Sequence, residues 1–592
     1  MNEKNLSWRY SFTGAIVTVI PLLIIMQIVR IQVDPQQLEK ILEQNSQYVT
    51  KDLQIIPVRG QIYDTHGILL AGNQKVYELG VELEKVSNPR AIADLVSKVL
   101  GIPYEQVLAR ASLEPSDEAV YSVIDSFVSQ GDMLKVEATM EIMDDLNVSS
   151  DSQVGMVLDG LVSKSHLARF YPNKSLGASF LGFVSREGKG YFGVEERFDE
   201  ILAGKPRWVK VPIDPNRVHE LPKVPDGASL ILTIDRDIQL AMEEIIDAAV
   251  VESGSEAGSL LVMNPRTGEV LAMATQPRMD LNEFWKYQEY YDRDNPFNRV
   301  IMKAYEPGSV FKVLTMLAAL ASGRVTLDTS FLDTGAIEVG GHTITNWDLG
   351  AWGPQSMQGC MQHSLNVCLA WVATQMGPEI LYKYLKDYGI GNLTGIDLAG
   401  ENPGHLKVPG DSDWYDADLG TNAFGQGVSA TVIQMATAIS AVPNKGVMMA
   451  PRIVRAVVSE GYQHNIEPRV AGIPVIAESA NTLNEMLARS LEIESSLALV
   501  TGYRVAGKTG TAEIPTKGGY TSSETNASFV GWGPVDDPQV IVYVWLEKPT
   551  SAPWGSVVAA PVFKQAMERL VILLDIPPDD IRKKLQPQAS SN

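Results

Sequence analysis

Cysteine is almost absent: the 592 residues hold two, Cys360 and Cys368. They stand eight apart in a stretch that reads as one helix, where a rise of about 1.5 Å per residue puts their Cα atoms roughly 12 Å apart, beyond disulfide reach. The expectation is two small buried apolar side chains, with no support for redox chemistry or metal binding. Basic residues are also scarce. Forty-nine Lys and Arg against 71 Asp and Glu give a net charge of −22, which makes nucleic acid or an anionic lipid surface a poor partner for the bulk of the chain. No internal repeat or low-complexity block is visible, and the 48 Gly and 33 Pro are scattered. No G-x-x-x-x-G-K-[ST] loop is present, which argues against ATP-dependent chemistry.

The composition, 45% hydrophobic and 20% charged, is that of a folded protein. Length alone favours three or four domain-sized units, but two regions look internally continuous, so fewer are expected. Between Tyr10 and Val29 no residue is charged, and "FTGAIVTVIPLLIIMQIV" matches the thickness of a bilayer core. A single transmembrane helix is predicted over 10–31, after a cytoplasmic tail of 1–9, with Pro21 as a possible kink. The run is long for a cleaved signal peptide, and no Ala-x-Ala-like site follows it. Lys4 and Arg9 before the segment, and Arg30 then Asp34 after it, favour an inner N-terminus in the cytoplasmic membrane and an extracytoplasmic bulk.

Beyond the span, Gln36 to Val49 reads as a polar membrane-proximal helix, and "VRGQIYDTHGILLAGN" as strand and turn. A break at "VHELPKVPDGAS" divides a pedestal region, 32–222, from a second domain, 223–575, followed by a polar tail, 576–592. The second domain opens on a strong hairpin, "AGSLLVMNPRTGEVLAMATQP", and closes on "ASFVGWGPVDDPQVIVYVWLEK", with helical sequence between. That order predicts an α+β fold whose sheet is built from the ends of the domain.

In "YEPGSVFKVLTMLAAL", Pro307 and Gly308 end a loop, so Ser309 opens a helix and Lys312 follows one turn later on the same face. The apolar residues around them cover nearly the whole circumference, as in a helix buried on all sides. Desolvation and the positive end of the helix dipole both favour a neutral Lys312, able to act as a base toward a serine hydroxyl. S-x-x-K alone is weak, since it occurs by chance about once or twice in a chain this long. Two further patterns give it weight: Ser364 and Asn366 in "HSLNVCLA", and Lys508, Thr509 and Gly510 in "VAGKTGTAEI". His363, beside Ser364, is read as solvent- or loop-facing, because Phe311 stands where G-x-S-x-G would need its second Gly.

S-x-x-K, S-x-N and K-T-G in this order resemble the signature of penicillin-binding proteins and serine β-lactamases. The chain is similar to the class B penicillin-binding proteins along nearly its whole length, through "RGQIYDTHGILLA", "ARFYPNKSLGASFLGFV", "GYFGVEERFDEILAG", "NRVIMKAYEPGSVFK" and "NAFGQGVSATVIQMA". Thr65-His66 departs from the usual Arg-Asn and leaves contacts of the N-terminal region in question. The resemblance implies a pedestal domain and a transpeptidase domain that cross-links peptidoglycan stem peptides and is acylated by β-lactams, without cofactor or metal. Ser309 would attack the penultimate D-alanine carbonyl with Lys312 as base. Ser364 and Lys508 would relay the proton, and Asn366 would bind the substrate amide. The N–H groups of Ser309 and Thr511 would form the oxyanion hole, Thr509 and Thr511 would hold the terminal carboxylate, and Gly510 would allow close backbone approach. It also implies a polymerase partner of the SEDS family and other cell-wall or divisome proteins, with Asn366 closer to division-type than to elongation-type enzymes. D,D-carboxypeptidases and β-lactamases share these motifs, and a non-catalytic β-lactam-binding scaffold is a further alternative.

Overall fold

The computed structural model describes residues 4–33, 50–116, 119–149, 158–212, 224–516 and 519–585. They form two compact units, one of Met1–Pro57 with Gly204–Asp226, the other of Val58–Ala203 with Gly227–Asn592.

In the first unit the helix Lys4–Val33 runs through Pro21, and strand Thr50–Ile55 pairs antiparallel with Arg207–Pro212. Residues Trp8–Arg30 are long and apolar enough to cross a membrane, and none of that stretch is buried by protein. Such a surface is stable only against another apolar phase, which a bilayer core supplies. The helix expected over Gln36–Val49 lies outside the described residues.

In the second unit a five-stranded antiparallel sheet has the spatial order Val270–Gln276, Ala257–Met263, Val540–Glu547, Gly519–Gly533, Ala506–Thr516. The hairpin at the start of the domain and the strands at its end are therefore neighbours, as the sequence predicts. Alternation along the central strands sorts their side chains between two cores. Leu260, Val262, Val542 and Val544 join Ile238, Met242, Phe563 and Met567 from the helices Arg236–Ser253 and Ala560–Leu573. Leu261, Met263, Tyr543 and Trp545 face the other way, into the core that holds Val310, Phe311 and Val313. A strand buried on both faces loses the polar alternation, which is why "VIVYVWL" is continuously apolar.

A second sheet runs Tyr462–Asn465, Val454–Ser459, Ser229–Leu232, Ile62–Tyr63, Leu69–Glu82, Tyr121–Ser129, with Leu161–Phe170 also on Leu69–Glu82. The "RGQIYDTHG" turn is fixed by buried Asp64, whose Oδ1 accepts from the N–H of His66 and of Ile68. The two departing residues are in contact with this same unit: Thr65 Oγ1 accepts from Arg455 at 2.7 Å and His66 Nε2 lies 3.0 Å from Asp235. Glu195, fully buried, holds Arg59 and Arg169 at 2.7 and 2.6 Å. An ion pair that deep is costly to break from one side, since the remaining charge is left unpaired. The polar tail expected from 576 begins as folded chain: Asp579–Leu585 is helical, and buried Arg582 pairs with Asp579 at 2.8 Å.

Candidate active site

Pro307 and Gly308 deliver the chain to a 3-10 turn, Gly308–Phe311, which continues as the helix Lys312–Ala321. Ser309 is half-buried on the turn, and Lys312 is fully buried at the first position of the helix. The amine of Lys312 donates to Ser364 O at 2.6 Å, Asn366 Oδ1 at 2.7 Å and Ser364 Oγ at 3.2 Å. No carboxylate is among these partners. Burial first, and then the nearby charge of Lys508, hold Lys312 well below the ordinary lysine value.

The segment that supplies Ser364 and Asn366 is not the continuous helix expected from its sequence. One helix, Met357–Gln362, ends at His363, and another, Asn366–Asp387, begins after Leu365. Ser364 between them has φ +54°, a left-handed conformation that costs a non-glycine residue roughly 1–2 kcal/mol. The break folds the chain back, so Cys360 and Cys368 are 6.0 Å apart at Cα and joined in a disulfide. The expectation of two unbridged cysteines is therefore overturned. Their distance was reckoned along a helix that the S-x-N turn interrupts. Burial is as expected, since both are fully buried in the main core.

Lys508, Thr509, Gly510 and Thr511 lie on strand Ala506–Thr516, at the edge of the five-stranded sheet. An edge strand leaves one row of N–H and C=O groups unpaired and can accept an extended ligand. Lys508 is buried, and that burial, opposed by Glu494, pushes its amine down to about 8. Its Nζ donates to Thr509 Oγ1 at 3.2 Å, and Thr511 Oγ1 accepts from the Gly555 N–H at 3.1 Å. Gly510 has no room for a side chain: a Cβ there would stand 2.3 Å from Ser528 Oγ.

The serine turn and the K-T-G strand are in backbone contact through Gly308. This residue has φ +58°, and a Cβ on it would approach Thr511 O to 2.7 Å. Gly308→Ala is expected to cost roughly 1–3 kcal/mol of stability, from the positive φ and the contact, and to slow acylation of Ser309 by about 100-fold, because the turn must back away from the strand. Thermal unfolding and acylation kinetics of the purified variant check both effects.

Gly308, Ser309, Ser364, Asn366, Lys508, Thr509 and Thr511 line one cleft of about 830 Å³. Lys312, fully buried, and Gly510 are not among its lining residues. Sequence reasoning missed other lining residues. His363, expected to face solvent or loop, lines the cleft; its ring stacks on Trp352 with centroids 4.2 Å apart, and its Nδ1 lies 3.4 Å from Glu494. Trp347 Nε1 donates to His363 O at 3.2 Å, and Trp554 packs edge-on against Trp347. The Glu494 carboxyl is raised by burial, partly opposed by Lys508 and His363. None of these residues stands in a recognisable pattern with the three motifs.

The chain matches two family descriptions, "Penicillin-binding Protein dimerisation domain" over residues 54–223 and "Penicillin binding protein transpeptidase domain" over residues 258–568. It is 31% identical to Stage V sporulation protein D of Bacillus subtilis over 555 residues, covering 91% of this chain and 82% of that protein. The chain belongs to the class B penicillin-binding proteins. This penicillin-binding protein is also 26% identical to peptidoglycan D,D-transpeptidase FtsI of Escherichia coli over 588 residues, 97% of its own length and 93% of the relative's. Its fold matches the crystal structure of penicillin binding protein 3 from Mycobacterium tuberculosis complexed with aztreonam, with a TM-score of 0.67, 24% identity, and coverage of 89% and 98% of the two chains. All eight predicted site residues fall within the transpeptidase match.

Proposed function

We propose that the protein is a serine D,D-transpeptidase that cross-links peptidoglycan stem peptides through an acyl-enzyme on Ser309, and that β-lactams acylate the same hydroxyl. The observation that carries this reading is the buried amine of Lys312, held against Ser364 and Asn366 with no carboxylate among its partners. An amine depressed in this way is a base at neutral pH, and a serine one helical turn away is its natural client. In this reading Ser309 attacks the carbonyl of the penultimate D-alanine and its proton passes to Lys312. The tetrahedral oxygen is met by the N–H groups of Ser309 and Thr511. Ser364 and Lys508 then carry a proton to the departing D-alanine. Thr509 and Thr511 hold the terminal carboxylate beside Lys508, and Asn366 binds the substrate amide. An amine from a second stem releases the acyl group.

We assign 1–9 to a cytoplasmic tail, 10–31 to a single-pass anchor in the cytoplasmic membrane, 32–222 to an extracytoplasmic pedestal and 223–575 to the transpeptidase domain. A transpeptidase does not polymerise glycan, so a membrane-embedded polymerase of the SEDS family is the expected partner, within the division machinery. Co-purification from detergent tests that partnership, and its failure there counts against it.

The central test follows the intact mass of the protein over time with a penicillin. One adduct that persists is the expected result. An adduct that disappears within seconds while the drug is consumed would make the protein a β-lactamase, and no adduct on folded protein would leave intrinsic resistance or a scaffold role, which an assay on native stem peptide separates.

A further inference from the structure

We infer that the Cys360–Cys368 disulfide is a positioning element for the reaction: it keeps the helix broken at the S-x-N turn, and so holds Ser364 and Asn366 on Lys312. The inference rests on the proposed role of Lys312 and adds a part of the machinery that none of the three motifs contains.

The sequence on either side of the turn is compatible with one helix. Only the three residues 363–365 separate the helices Met357–Gln362 and Asn366–Asp387, and none of the three is Gly or Pro. If the helix ran through, the two cysteines would be about 12 Å apart at 1.5 Å per residue. In the structure they are 6.0 Å apart and bonded. The cross-link therefore excludes the continuous helix outright, because a disulfide bridges Cα atoms only up to about 7 Å.

Other contacts at the turn are hydrogen bonds and one ring stack, of Ser364 and Asn366 with Lys312, Asn366 with Thr345, and His363 with Trp347 and Trp352, and the disulfide is the one covalent constraint among them. The backbone bond specific to the break is the Leu365 N–H on Cys360 O at 3.0 Å, while the His363 N–H on Gly359 O at 2.9 Å is the last ordinary bond of the first helix. Against them stands the left-handed φ of Ser364, which a helix would relieve. Both acceptors that Ser364 offers Lys312 depend on the break: its carbonyl at 2.6 Å and its hydroxyl at 3.2 Å are presented by a residue that is not helical. Asn366 reaches Lys312 only as the first residue of the new helix, while its Nδ2 donates to Thr345 O at 3.1 Å. The disulfide spans a separation of just eight, and the seven residues between its cysteines contain the S-x-N motif. Its effect is thus local to the site.

The test compares acylation by a fluorescent penicillin in the full chain in detergent: oxidised wild type, Cys360→Ala, Cys368→Ala and the double variant. Each of the three variants is expected to be acylated roughly 10- to 100-fold more slowly than the wild type, the scale of a displacement of about 1 Å at a reacting group. The double variant should be no slower than either single one, because one bond is lost in all three. The acid limb of the rate should also move to higher pH, since a turn that leaves Lys312 lets water reach its amine; loss of bulk stability alone would not produce that shift. If the variants fold poorly, the wild type treated with a phosphine reductant, with the thiols confirmed by alkylation and mass, gives the same comparison, and reoxidation should restore the rate. Variants or reduced protein acylated at the wild-type rate, with an unmoved pH profile, would overturn the inference. A wild type that takes no penicillin and cross-links no native stem peptide would instead overturn the transpeptidase reading beneath it.

Discussion

Ser309→Ala is expected to abolish the penicillin adduct, lowering acylation by at least about 10⁴-fold, the scale at which loss of a serine nucleophile leaves only binding and oxyanion stabilisation. The result is not trivial, because the cleft presents two serines near the buried amine of Lys312. Ser364 Oγ lies 3.2 Å from Lys312 Nζ, and both hydroxyls belong to residues that line the cleft. Their backbones differ. Ser309 stands in the 3-10 turn that runs into the helix Lys312–Ala321, and its neighbour Gly308 lies against the K-T-G strand. In the proposed reading an oxyanion formed there meets the N–H groups of Ser309 and of Thr511 on that strand. Ser364 sits alone between two helices, with left-handed φ. Ser364→Ala should accordingly keep a single adduct and form it more slowly. Intact mass of the two variants after equal exposure to drug separates the roles, and a persistent adduct on Ser309→Ala would reassign the nucleophile to Ser364.

What the sequence revealed of this site, and what it hid, follow from the range of the interactions involved. Lys312 was legible because its burial is written in the apolar residues on every side of one helix, and Gly510 because K-T-G lies in a strand with recognisable β pattern. The hairpin at Ala257–Gln276 and the strand Val540–Glu547 were legible for the same local reason. The S-x-N turn was not. Its local pattern is helical, and the cross-link that spans the break cannot be judged feasible without first knowing that the break exists. His363 and Glu494 were hidden differently: 131 residues separate them, and the aromatic wall of Trp347, Trp352 and Trp554 is gathered from equally distant segments. Only the fold brings such groups together. The folded extension through Arg582 was missed because "RKKL" is polar in composition, although its arginine is buried against Asp579.

Replacing Lys312 with methionine is expected to lower acylation by about 10³-fold, within the range attributed to a positioned general base. Its pH dependence is the more searching result. In the wild type the rate rises with pH as Lys312 loses its proton, because only the neutral amine can take one from Ser309. It falls again as Lys508, depressed to about 8, loses the charge that attracts the carboxylate of drug or substrate. The profile is therefore a bell whose alkaline limb lies near 8. In Lys312→Met the acid limb should vanish while the fall near 8 remains. The stability of the same variant has a definite sign. A lysine whose folded value is depressed binds fewer protons in the folded state than the unfolded chain does, so at pH below its folded value the native state carries the full penalty of the buried charge. That penalty shrinks as pH rises toward the ordinary lysine value of 10.5. Methionine removes the penalty, and with it the bonds to Ser364 and Asn366. The stability of Lys312→Met relative to wild type should therefore be most favourable near neutral pH and decline steadily as pH approaches 10. Denaturant unfolding of both proteins at pH 7, 8.5 and 10 measures this difference. A difference that stays flat with pH would mean that Lys312 keeps an ordinary pKa in the folded protein, and an amine with an ordinary pKa is charged at neutral pH and cannot be the base for Ser309.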